Sequence, residues 1–198
     1  MTQELGDPQN FDVERIRALF PITKSSNYLM NAALSPLNNS SRSAMEEYLQ
    51  LSQTDLSARP DVRRETKTLL SGILGGSPSD YTLTTSTGHG MSMTAAGLNV
   101  QSGQNIVLVA GEHWNSLFPW LNLERNGVEI RRVYPSEDNR VSLDDIESQC
   151  DRNTRAVCVT AVRFDTGYRY DLKKLSNLVH QFDALFVVDG TQCSGANE

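Results

Sequence analysis

From Tyr81 onward, short apolar runs alternate with amphipathic stretches, and that alternation leaves few architectures open. The runs lie at 81–85, 105–110, 128–134, 156–162 and 184–189, and each reads as a strand. Between them lie helical patterns at 91–98, around Leu117, Trp120, Leu121 and Leu123, at 142–150, and at 171–182 with a stripe of Leu172, Leu175, Leu178 and Val179. Strand and helix in turn predict an α/β fold: a mainly parallel sheet, helices on both faces, right-handed crossovers. The last run, Ala184-Leu185-Phe186-Val187-Val188, has no polar interruption and is expected to be buried on both faces. It stops on Asp189, with Gly190 behind it to let the chain turn. Ligands of open α/β sheets sit beyond the carboxyl ends of strands, so Asp189 and Gln192 stand where one would be held. The plainer reading is that Asp189 caps a turn or the next helix.

The first eighty residues read as helices. Phe11, Val13, Ile16, Leu19 and Phe20 recur at helical spacing before Pro21. Ser40 or Ser41 is expected to cap a helix carrying Met45, Tyr48, Leu49 and Leu51. Pro60 is expected to start another, with Val62, Thr66, Leu69, Leu70, Ile73 and Leu74 as its buried stripe. The simplest division is a helical segment over 1–27 and one domain over 28–198. At 198 residues the chain has room for a sizeable core.

A net charge of −6 and a pI near 5.1, with no basic stripe, argue against nucleic acid or an anionic membrane as partner. No apolar run reaches spanning length, and Met1–Asn10 lacks an apolar targeting core, so a cytoplasmic location is expected. Cys150, Cys158 and Cys193 form no paired framework. His89, His113 and His180 lack metal-site spacing, and no metal is expected.

Several strands deliver small or polar residues to one edge. Ser86-Thr87-Gly88-His89-Gly90 forms a small-residue turn leading into a helix, whose free amides and hydroxyls suit a phosphate; an ordinary helix cap is the commoner use of such a loop. It is neither a dinucleotide fingerprint nor a Walker loop, lacking a third spaced glycine and a Lys-Ser or Lys-Thr pair. The next strand brings Glu112-His113-Trp114-Asn115, where His113 could stack on a planar ligand, shuttle a proton, or be structural. Later strands add Arg163-Phe164-Asp165-Thr166-Gly167 and Asp189 with Gln192.

In this order and spacing, Tyr28-Leu29-Met30-Asn31-Ala32-Ala33 with Ser35-Pro36, the Thr-Ser-Thr-Gly loop, Glu112-His113 with Asn115, Thr166-Gly167 and Val188-Asp189-Gly190-Thr191-Gln192 together resemble the class V aminotransferases. The resemblance runs from about Tyr28 to the end. It implies the large domain of PLP-dependent transferase fold type I, incomplete here, with pyridoxal 5'-phosphate (PLP) as cofactor, an amino acid as substrate and a homodimer as assembly. By position, Asp189 would sit against the pyridine nitrogen, Gln192 against the phenolic oxygen and His113 on the ring face. Ser86, Thr87, Gly88 and His89 would hold the phosphate, and Thr166 would belong to the same cofactor site. Asn31, Ala32 and Ala33 would lie near the substrate carboxylate.

Two departures bear on function. Phe164-Asp165 stands where cysteine desulfurases of the class usually carry asparagine, nearer to kynureninase-like and epimerase-like members. The family's Schiff-base lysine falls on a later strand, and Lys24, Lys67, Lys173 and Lys174 match no such position. The expectation is therefore the N-terminal part of such an enzyme, truncated and inactive alone, in which strand 81–85 would lack neighbours. The readings to separate are a PLP enzyme acting on an amino acid, a cysteine desulfurase of the same class, and a non-catalytic binding or dimerisation remnant.

Overall fold

The computed structural model describes residues 12–195, which divide into two compact units, the first ending at Glu65 and the second beginning at Thr66. The first unit is helical. Helix α1 (Val13–Leu19) starts where Asp12 accepts from the Arg15 amide, and α2 (Asn39–Thr54) where Asn38 accepts from the Ser41 amide. Asn38 thus provides the cap expected from Ser40 or Ser41, because a cap needs an extended backbone and Asn38 sits at φ −89°, ψ 162°. Phe11, one of the expected α1 positions, lies outside the described residues.

Helix α3 (Val62–Leu74) crosses the boundary between the units. It opens at Asp61, whose carboxylate accepts from the Arg64 amide, and not at Pro60. Its expected buried stripe is a correction: Val62, Leu69, Ile73 and Leu74 are exposed, as are Met45 and Leu49 of α2. Helical periodicity marks an apolar face but does not say what covers it.

The second unit holds the sheet. Strands β1 (Asn105–Val109), β2 (Glu129–Val133), β3 (Thr154–Thr160) and β4 (Leu185–Asp189) run parallel in the order β2-β1-β3-β4. Side chains alternate along a strand, so each central strand feeds two cores. Val107, Val109, Val157 and Val159 meet Ile146 of α6 (Leu143–Glu147) and Leu175, Leu178 and Val179 of α7 (Leu172–His180). Ile106, Leu108, Ala156 and Cys158 meet Met91 and Ala95 of α4 (Thr87–Gly97) and Trp120 of α5 (Trp114–Leu121). The expected α/β architecture with helices on both faces is therefore present. At the amino end of β1 the buried Asn105 is satisfied by Thr154 and Asp151, at 2.8 and 2.9 Å, where the β1–β3 register shifts.

Two strand expectations need correcting. Residues 81–85 form no strand: Tyr81 has an extended backbone, but no described strand runs alongside, and pairing is what makes a strand. The run at 185–189 is a strand but not a doubly buried one. Among the described residues it is the sheet's edge, with Leu185 52% exposed, and β1 is the strand buried along its whole length.

Trp120 is fully enclosed beneath the sheet. Trp120→Ala should cost about 3–5 kcal/mol of stability through lost transfer energy and an unfilled cavity, read as a lowered urea midpoint.

Candidate functional site

Parallel pairing places the carboxyl ends of all four strands along one edge. Asp189, the last residue of β4, is 7% exposed, and three donors reach it. The hydroxyl of Ser116 in α5 donates to Oδ2. The amide and hydroxyl of Thr191 donate to Oδ1 at 2.9 and 2.6 Å. Thr191 Oγ1 lies 3.1 Å from Thr87 Oγ1 at the start of α4, which links the carboxylate to the expected phosphate turn. Asp189 does cap its own turn, as the plainer reading had it, yet it also ties β4 to α5. A carboxylate has about four lone-pair sites, so with three donors bound one remains for a further N–H.

The segment expected as a turn at 86–90 is already the first turn of α4, because Ser86 caps it by accepting from the His89 amide at 3.1 Å. That bond satisfies one first-turn donor. Among the described residues, no main-chain or side-chain acceptor takes the Thr87 and Gly88 amides, so they are the donors left for an anion. The His89 ring is turned back onto Thr85 Oγ1 at 3.0 Å, and its side chain is exposed. Gly88 faces α5: a Cβ there would lie 3.2 Å from Asn115 Oδ1, so a side chain would press on the neighbouring helix start.

His113 is the cap of α5, its Nδ1 accepting from the Asn115 amide at 3.3 Å. It is thus structurally committed on one nitrogen while its half-buried ring meets Phe164 edge-on, 5.4 Å between centroids at 89°. Thr166 is exposed, and its hydroxyl accepts from the Tyr168 amide within its own loop. Gln192 is half-buried in the turn after β4. Asn31, Ala32 and Ala33 form an exposed turn in the first unit, closed by the Ala33 amide on Met30 O at 3.0 Å.

The structure therefore joins Thr87, Asp189 and the start of α5, while the contacts of Thr166 described above stay within its own loop. An open cleft of about 350 Å³ lies between α4 and the end of β4, lined by Thr87, Gly90, Met91, Asp189, Thr191 and Ser194. A larger cleft of about 680 Å³, lined by Tyr170, Lys173 and Cys193 among others, contains none of the expected site residues.

Sequence reasoning missed Ser116, and it missed a buried charge cluster beneath the edge. Glu112 is 5% exposed and accepts from the Thr160 hydroxyl at 2.7 Å; its other oxygen lies 3.7 Å from an Arg163 nitrogen. Arg163, 3% exposed, grips Asp165 with two nitrogens at 3.1 and 2.8 Å. Burial raises the Glu112 carboxyl above its ordinary value, with the Thr160 hydroxyl and the Arg163 charge pulling the other way. A strand-end Glu-His pair hinted that these residues belonged to the edge, but nothing in the sequence pairs positions 112 and 163.

The chain thus has the defining features of an open α/β protein with its polar edge at the strand ends. The family model for aminotransferase class-V matches residues 27–198, and the chain belongs to that family. It is 30% identical over 193 residues to a probable cysteine desulfurase of Methanothermobacter thermautotrophicus, covering 93% of this chain and 48% of that protein. It is 27% identical to an uncharacterized aminotransferase of Schizosaccharomyces pombe, over 81% of this chain and 41% of that protein. The apo cysteine desulfurase from Thermococcus onnurineus superposes with a TM-score of 0.78 at 21% identity, over 89% of this chain and 46% of that one. A C-DES variant with glycine covalently linked to its PLP cofactor superposes at 0.75 and 18% identity, over 91% and 50%. The fold is shared, and the chain spans about half the length of the curated relatives it matches.

Glu112 makes a pH prediction. Its folded pKa lies above the unfolded value, so the native state holds the proton more tightly and this residue's contribution to stability is lost as pH rises past the unfolded value toward the raised one. Glu112→Gln should remove that component: the difference in urea midpoint between wild type and variant should shift in favour of the variant as pH rises from about 4 to neutrality.

Proposed function

We propose that this chain carries the PLP-holding part of a class V active site that acts on an amino acid. The observation that carries the reading is Asp189: a strand-end carboxylate, buried at one edge of an open cleft and fixed by Ser116 and Thr191, with an acceptor site to spare. Those features fit a protonated pyridine nitrogen. PLP supplies an electron-withdrawing ring that stabilises negative charge at a substrate carbon. The protein's part is binding and orientation. Asp189 holds the ring nitrogen in its cationic form, and Gln192 binds the phenolic oxygen. Thr87 and the amides of Thr87 and Gly88 receive the phosphate, with Ser86 and His89 shaping the turn. His113 covers one ring face, and Thr166 borders the same site. Asn31, Ala32 and Ala33 receive the substrate carboxylate, and the assembly is a homodimer.

A second reading, desulfuration of cysteine, is favoured by the names of the relatives. It requires a reactive thiolate. Cys158 is buried and its thiol pushed well up, and burial pushes Cys150 to about 11, so neither provides one. Cys193, half-buried in the turn after β4, is the remaining candidate in this chain. Sulfide release from L-cysteine by the PLP-loaded protein separates this reading from transamination.

Binding is best measured with pyridoxamine 5'-phosphate, which has the ring and phosphate of PLP but no aldehyde to react with surface lysines. Calorimetry should give one saturable site. Pyridoxamine without phosphate should bind far more weakly. Asp189→Asn, which keeps shape and removes charge, should weaken binding by about tenfold or more, the size of one charge-assisted hydrogen bond. Equal affinity of wild type and variant would defeat the reading.

A further inference from the structure

Arg163 lies beneath the candidate site and is absent from the cofactor contacts proposed above. Its guanidinium is almost fully buried and reaches two turns at once. Toward the turn after β1 it donates to the carbonyls of Ala110 and Gly111, at 3.3 and 3.4 Å, and lies 3.7 Å from Glu112 Oε1. Toward the loop after β3 it donates to both oxygens of Asp165. These are the turns that carry His113 and Phe164. Phe164 is bracketed in sequence by the two members of the Arg163–Asp165 pair, and its loop is closed by the Arg163 amide on Tyr168 O at 2.9 Å and the Gly167 amide on Arg163 O at 3.0 Å. Gly111 makes the approach possible: its φ is +76°, and a Cβ there would lie 3.2 Å from an Arg163 nitrogen.

We propose that Arg163 is a positioning residue, clamping the β1 and β3 turns together through Ala110, Gly111 and Asp165 so that His113 is held edge-on against Phe164 and presents its face to the ligand. The consequence for binding rests on the reading of His113 as the residue covering the ring; the clamp itself does not. A planar fork with five donors can serve two carbonyls and a carboxylate at once, and a lysine cannot. Burial excludes water from competing for these bonds, so the two turns move together or not at all.

The test uses the whole chain. In wild type, NMR should show cross-relaxation between the rings of His113 and Phe164. Asp165→Ala removes the carboxylate from the clamp at a position whose side chain is partly exposed, so the fold should survive. It should abolish that signal and weaken pyridoxamine 5'-phosphate binding about fivefold, the scale of one aromatic contact. Arg163→Lys, which keeps the charge and loses the fork, should do the same, while Asp165→Asn, which keeps one acceptor oxygen, should recover part of both. Leu178→Ala, in the core under the opposite face, should lower stability and leave the ring signal and the affinity unchanged. A folded Asp165→Ala protein with the His113–Phe164 signal intact would overturn the proposal. Failure of wild type to bind the ligand would instead defeat the proposed function, and the ring signal would still decide the clamp.

Discussion

Parallel pairing brings four strand ends to one line, and each functional contact in the second unit depends on it. β1 and β3 are held in place because their side chains are shared between two apolar layers, with Val107 and Val157 on one and Ile106 and Ala156 on the other. Once those two strands are fixed, the turns that follow them have little freedom. Ser116 then reaches Asp189 across 73 positions of sequence, and Arg163 reaches Ala110 across 53. Apolar packing supplies the stability, and the polar edge is the part of the strands that the packing leaves over.

The sequence made the sheet legible where the apolar runs were strong. β1, β2, β3 and β4 all fall within a few residues of the predicted spans, because a short β-branched run bounded by polar residues has few alternatives in a chain that also carries helical stripes. It misled where a pattern depends on a neighbour. Residues 81–85 have strand composition but no described partner, and β4 has the composition of a central strand but an edge position among the described residues. In α3 the periodicity is genuine, but Val62, Leu69, Ile73 and Leu74 of the expected buried stripe are exposed. Composition records what a segment is suited to, whereas burial is settled by what lies against it.

The candidate site is legible in its strand-end residues and illegible in what holds them. Asp189 could be found because a carboxylate ends an apolar run. Ser116 could not, since a serine in the first turn of a helix has no distinguishing spacing, and its value comes from facing Asp189 across 73 positions. Arg163 falls in a loop by sequence pattern, yet among the described residues it is one of the most buried charges, an outcome fixed by Asp165, Gly111 and Glu112 together. Long-range polar pairs of this kind are selected by geometry, which local pattern does not encode.

The edge thus holds two buried carboxylates with opposite arrangements, and the difference supports the role proposed for one of them. Glu112 has one hydroxyl donor and a guanidinium at 3.7 Å, an oxygen without a hydrogen-bond partner, and a carboxyl pushed toward its protonated form by burial. It is buried, and these contacts run to the end of β3 and to Arg163. Asp189 has three close donors from two elements and borders an open cleft. Desolvating a carboxylate is costly unless donors compensate, and here the compensation is in place before any ligand arrives. A cationic nitrogen entering the cleft would therefore meet a carboxylate already oriented, with little reorganisation left to oppose binding. Preorganisation of that kind suits Asp189, and not Glu112, to the ligand-holding role proposed for it.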